Sequence, residues 1–168
     1  MDLGKQLGIP ENFSPSYSIH SVKDVDIPTA RRKAVKITVP KGLKRSVLVK
    51  NLKHAVKTIY RNSHPHPNAI SVLAYKSGTD HNGYYTAGKC DFAPEGDWGK
   101  AEYGIPVERF STKIEISEMY SKKEEFLKNG SKVKLVETHG KRNVRISNRP
   151  DEWRDENIII IVPVGKTA

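Results

Sequence analysis

The residues in this chain best suited to chemistry are a few histidines, one cysteine and a loop of carboxylates. His64 and His66 alternate with Pro65 and Pro67, so both imidazoles can project from a stiff extended segment and share a metal ion as an i,i+2 pair. A complete site needs further ligands, for which His54, His81, Asp80 and Asp91 are the candidates. The spacing matches no zinc pattern, so exposed turn histidines without a metal are the expectation. Cys90 would serve as a nucleophile, with His81 of the Asp80-His81 turn as its base, if the two faced each other across a hairpin. A lone strand cysteine is more commonly a small buried hydrophobe, and that is the expectation here. The loop Phe92 to Tyr103 gathers Glu95, Asp97, Trp98, Glu102 and Tyr103 among glycines. Carboxylates beside an aromatic fit a glycosidase-like or metal site. They equally fit an acidic counterpatch to a basic surface, and the expectation is a loop anchored by a buried Trp98. No catalytic motif is recognisable, so catalytic residues are unassigned and no cofactor is expected.

The distribution of acids points elsewhere. No Asp or Glu occurs between Asp26 and Asp80, a window that holds 12 of the 29 Lys+Arg residues. The rest of the chain carries 17 basic and 19 acidic residues, so the formal net charge of +10 resides in this one third. Such segregation is an argument about partners, and it points to an anionic one. Within the window, Lys50, Lys53, Lys57 and Arg61 fall within about 80° of arc when wound at 100° per residue. A helix carrying four such cations can track a phosphate backbone, with a salt slope of about −3.6 on duplex if all four neutralise phosphates. Arg31, Arg32 and Lys33 extend this patch if the strand they open lies beside the helix. Surface helices ordinarily mix signs and gain i,i+4 pairs, so a helix without acids is unusual. No helix-turn-helix, RNP or GXXG signature accompanies the patch.

The elements that must position these groups follow from periodicity. Leu48, Leu52, Ala55, Val56 and Ile59 form an apolar stripe opposite the cations, which predicts a long amphipathic helix over Leu43 to Arg61. Ser46 caps it if it starts late, and the prolines after His64 stop it near Asn62. Strands are predicted around Tyr17 to Val25, over Ala34 to Val39, Ala69 to Tyr75 and Tyr84 to Phe92, and over Lys113 to Ser117, which alternates cleanly. Tyr60, Tyr75, Tyr84 and Tyr85 are candidates to stack bases if exposed. Further on, Ser121 and Glu124 form a capping box for a short helix over Lys122 to Lys128, closed by Gly130. Val133 to Val136 and Val144 to Ile146 flank a hairpin turn at His139-Gly140-Lys141, and Ile158 to Val162 reads as a final buried strand. The predicted fold class is α+β: a mainly antiparallel sheet with one long amphipathic helix packed on a face. Residues 1–16 read as an irregular N-terminal arm and 17–168 as a single domain.

A single cysteine rules out an intramolecular disulfide and agrees with a reducing, cytoplasmic setting. No stretch has the apolar length of a signal peptide or membrane span, so a soluble chain without a membrane partner is expected. The order Val39-Pro40, helix, Ala69 to Tyr75, Ala93-Pro94-Glu95-Gly96-Asp97-Trp98, Asp151-Glu152-Trp153 and Val162-Pro163 resembles a family of small uncharacterised microbial domains of unknown function. That resemblance spans Lys36 to Gly165 and implies one domain, with no activity or cofactor attached. Three function classes remain open. The first is polyanion, and specifically nucleic-acid, binding through the basic helix face. The second is a protein–protein interaction module for an acidic partner. The third is an enzyme built on the Asp80 to Trp98 loops, which requires a pocket joining Asp80-His81 to Glu95-Trp98.

Overall fold

The computed structural model describes residues 2–118, 120, 133–137 and 159–163. The chain divides into two compact units, Met1–Ser121 and Lys122–Ala168. In the first, five strands lie in sequence order: β1 (Ser18–Asp24), β2 (Arg32–Val39), β3 (Ala69–Lys76), β4 (Gly88–Pro94) and β5 (Phe110–Ile116). Three of the neighbouring pairs are antiparallel, while β2 and β3 run parallel. A parallel pair cannot be closed by a tight turn, and here the crossover is the helix between the two strands (Arg45–Asn62). The α+β class and the mainly antiparallel sheet are as the sequence predicts.

Alternation separates the two sheet faces. Val35, Ile37 and Val39 of β2, with Ile70, Val72 and Ala74 of β3 and Cys90 and Phe92 of β4, are buried on one face. The crossover helix lays Leu48, Leu52, Ala55, Val56 and Ile59 on that face, and all join one core cluster. Each large aliphatic side chain so buried contributes about 1.5–3 kcal/mol. The helix begins at Arg45, with Lys44 at the N-cap and no side-chain cap bond, so Ser46 lies inside the first turn and does not cap. At the other end Ser63 Oγ donates to the Ile59 carbonyl at 2.7 Å, occupying an acceptor that the helix leaves free.

The N-terminal arm contains one short regular element and is anchored to the core. Residues Leu3–Gln6 form a short helix, α1, capped by Asp2, whose Oδ1 accepts from the Gly4 N–H at 2.8 Å. In chain order the crossover helix is therefore α2. Leu3, Leu7 and Ile9 are buried in the main core cluster, and Gln6 Nε2 donates to the carbonyls of Val107 and Phe110. The chain then passes along α2: Asn51, fully buried, accepts from the Ser16 N–H at 2.8 Å and donates to Ser16 Oγ.

Strand β4 starts at Gly88, later than Tyr84. The preceding residues are held instead by side-chain bonds, with Thr86 Oγ1 accepting from the Lys76 N–H and Tyr75 OH donating to the Gly83 carbonyl. At Gly88 the sheet is close: a Cβ would sit 3.0 Å from the Glu115 carbonyl oxygen and 3.1 Å from Ile116 Cδ1, so a side chain there would displace its neighbours by a few tenths of an ångström. In the second unit, β6 (Val133–Glu137) and β7 (Ile159–Pro163) pair antiparallel, with Leu135 opposite Ile161. The predicted helix over Lys122 to Lys128, the His139-Gly140-Lys141 turn with Val144 to Ile146, and Asp151-Glu152-Trp153 lie outside the described residues.

Candidate functional site

Helix α2 runs for 18 residues with no acidic residue in its sequence. Its apolar stripe is turned to the sheet, which leaves Lys50, Lys53, Lys57 and Arg61 on the opposite side, the three lysines half-buried and Arg61 open to solvent. The four predicted cations are thus brought together on one surface. The N-terminal segment adds what the sequence did not reveal. Asp2 reaches Arg61, with Oδ1 3.7 Å from Nη2. Its carboxyl is held below the usual range, first by the Gly4 N–H and further by the charges of Lys57 and Arg61. Lys50 and Lys53 form no ion pair among the described residues. Asp2 therefore tempers the Arg61 end of the patch.

Beside the patch, His54 is wrapped by the same N-terminal segment. Its Nδ1 lies 3.0 Å from Tyr17 OH and 3.4 Å from Thr58 Oγ1, and the Phe13 ring packs against it. Burial, then the charges of Lys57 and Arg61, push its pKa below the ordinary histidine value of 6.5. His54 therefore favours the neutral form and serves as a packing and hydrogen-bonding group.

Arg31, Arg32 and Lys33 do not extend the α2 surface as one patch. Arg32 alternates with Val35, Ile37 and Val39 of β2 and so lies on the face away from α2, where its guanidinium sits 5.3 Å from the centre of the Trp98 ring. Arg31, just before β2, lies at the same distance over the Tyr103 ring. Lys33 is on the helix side but pairs with Asp24 of β1 at 2.5 Å. The period of two already separates Arg32 from Lys33; the aromatic partners come from a distant loop, and no local pattern could have shown them.

The loop after β4 consumes its own charges. Glu95 (φ 54) and Gly96 (φ 74) are the central residues of a tight turn, closed by the Asp97 N–H on the Pro94 carbonyl at 3.0 Å. A left-handed glutamate is strained. Its carboxylate bridges Lys100 and Arg109, and the hydrogen bond and charge of Lys100, followed by Arg109, lower its pKa. Trp98, only partly buried, packs on Ala30, Ala69, Ala93 and Ala101. A cleft of about 360 Å³ adjoins this loop, lined by Ile27, Thr29, Glu95, Lys100, Ile105 and Arg109 among others.

The remaining constellations do not assemble. Cys90 is fully buried on the α2 side of the sheet, between Val72 and Ile114, and burial pushes its thiol up to about 12. His81 lies on the other face, its Nε2 2.8 Å from Thr38 Oγ1 and its ring stacked 4.0 Å from His20. The sheet therefore separates thiol from imidazole. His66 stacks on Tyr60 at 4.3 Å, and His64 lies 4.9 Å from His66. Among the described residues no three His, Cys, Asp or Glu side chains converge as a metal would require. Asp91 instead meets Lys89 at 2.8 Å, and its Oδ1 is buried without a hydrogen-bond partner. Because β3 and β4 are antiparallel, the Asp80-His81 and Glu95-Trp98 loops leave opposite ends of the sheet, and no described pocket joins them.

Among the described residues no helix is long and apolar enough to cross a membrane. Compared with known proteins, the chain matches no family model, no curated protein and no solved structure.

Proposed function

We propose that the first unit binds a polyanion, most directly nucleic acid, through the outer side of α2. One observation carries this reading: an 18-residue helix without a single acid turns Lys50, Lys53, Lys57 and Arg61 outward together. Cations on one helix side repel each other and weaken the helix by a few tenths of a kcal/mol per i,i+4 pair. A polyphosphate laid along them turns that repulsion into attraction and releases counterions. Lys44 at the N-cap, with no acid in the first turn, opposes the helix dipole in the same way. Contacts of this kind position a backbone and read little sequence.

The test is binding of labelled DNA and RNA across a salt series, for the native chain and for Lys50/Lys53/Lys57→Glu. Micromolar or tighter affinity that falls steeply with salt and disappears in the triple variant supports the reading. Absence of binding at low salt ends it. An acidic protein partner is distinguished by competition, because nucleic acid would then fail to displace it.

A further inference from the structure

We propose, building on the polyanion reading, that the ligand is a single-stranded nucleic acid and that Tyr84 stacks on one of its bases. Strands β2 and β3 run parallel and end together, Val39 opposite Lys76, at the end of the sheet where α2 begins. The loop of residues 77–87 leaves from that end. It adjoins Lys41, whose Nζ lies 4.0 Å from the position a Cβ on Gly78 would take. Lys41 and Lys44 are exposed here, and Lys76 is partly so. Lysines therefore lie between the start of α2 and this loop, which itself carries the exposed Asp80.

The loop has a built shape. Thr79 Oγ1 donates to the Lys76 carbonyl and lies 2.9 Å from Thr86 Oγ1, which accepts from the Lys76 N–H. Tyr75 OH donates to the Gly83 carbonyl at 2.8 Å, and Lys36 Nζ donates to the His81 carbonyl. His81 is fixed between Thr38 and the His20 ring. On this anchored frame Tyr84 is 91% exposed, while among the described residues the next most exposed large apolar side chain, Tyr103, is 48% exposed. Its neighbour Tyr85 is tied down by a hydrogen bond to Glu115. An aromatic ring forgoes a large burial when left in water. An open ring on a fixed loop whose Gly78 turn adjoins Lys41 offers the two parts that single-strand binding needs: a face for a base and a cation for the backbone.

The geometry selects single strands over duplex. The loop is held by Thr38 and Tyr75, which lie on the sheet face away from α2. A ligand touching both α2 and Tyr84 must bend around the end of the sheet. Duplex DNA, with a persistence length of about 150 base pairs, resists that turn, and its bases already stack on one another. A single strand makes the turn and has free base faces.

The experiment is fluorescence anisotropy with the full chain, using labelled single-stranded DNA and RNA of about 12 nucleotides and a duplex of the same length. The proteins are the native chain, Tyr84→Ala, Tyr84→Trp and Lys50/Lys53/Lys57→Glu. Tyr84→Ala is expected to weaken single-strand binding roughly 5- to 100-fold, the range of one lost stacking contact. Duplex binding and the salt slope should stay within about twofold of native, and Tyr84→Trp should restore affinity. An unchanged affinity in Tyr84→Ala, an equal loss on duplex, or a native preference for duplex overturns the inference, yet leaves the polyanion reading standing if the triple variant has lost binding. A native chain that binds none of the probes overturns both.

Discussion

The outer side of α2 and the loop after β4 are both rich in charge, but they handle it in opposite ways. In the loop, Glu95 holds Lys100 and Arg109, while Tyr103 and Trp98 lie under the guanidinium groups of Arg31 and Arg32. On α2, Asp2 approaches the row of cations at its Arg61 end. The loop is thus a set of internally matched contacts, whereas Lys50, Lys53 and Lys57 form no ion pair among the described residues. Charge counted along a sequence cannot tell these apart, because matching is a property of the folded chain.

Breaking the comparison should have its largest effect on α2. Reversing Lys50, Lys53 and Lys57 together is expected to reduce nucleic-acid affinity by about 100-fold or more near 0.1 M salt, measured by anisotropy. Arg109→Gln in the loop should change it by less than about twofold. Equal losses would show that matched and unmatched cations serve alike. Next comes the clamp that brings the N-terminal segment against α2. Asn51→Leu removes both bonds to Ser16 and leaves that N–H unpaired, at an expected cost of about 1–3 kcal/mol in urea unfolding. Earlier proteolysis of the N-terminal segment would accompany it.

A smaller effect is expected with pH. The folded state lowers the pKa of His54, so the unfolded chain takes up the proton first as pH falls. Stability is therefore full above about pH 6.5 and declines as pH drops through the folded value, with His54→Gln flattening that decline. A thermal-denaturation series between pH 5 and 8 reads it, and identical slopes in the two proteins would count against the assignment. Smallest of all, Asp2→Asn should tighten polyanion binding about two- to threefold and steepen the salt slope, by releasing Arg61 and Lys57 from their acid. A looser complex would mean that Asp2 helps to hold the surface in its binding shape.

Much of this architecture was legible in the residues. The apolar stripe of α2, the alternation in β2 and β5 and the proline stops are local signals with a definite period, and they located the elements correctly. The N-terminal arm was missed because Leu3, Leu7 and Ile9 follow no repeating period, and α1 spans only four residues. The parallel β2–β3 pairing was missed because direction is decided by how α2 crosses the sheet, which no local pattern states. At the candidate site, the grouping of the four α2 cations was readable from the 100° wheel. The approach of Asp2 and the burial of Asn51 against Ser16 arise between segments distant in sequence, and the separation of Cys90 from His81 follows from which sheet face each takes once the loop folds back.

The parallel pairing of β2 with β3 also has a kinetic consequence. Arg32 meets Ala69 and Val39 meets Lys76 only after the whole of α2 has been threaded between them, so the central ladder closes a long chain loop before its contacts repay the lost entropy. Docking of the inner side of α2 is therefore the step expected to govern folding, since its apolar residues cover the face on which the two strands meet. Its outer side takes no part in that step. Selection acting on Lys50, Lys53 and Lys57 is then free to tune what the surface binds without altering how fast the molecule forms.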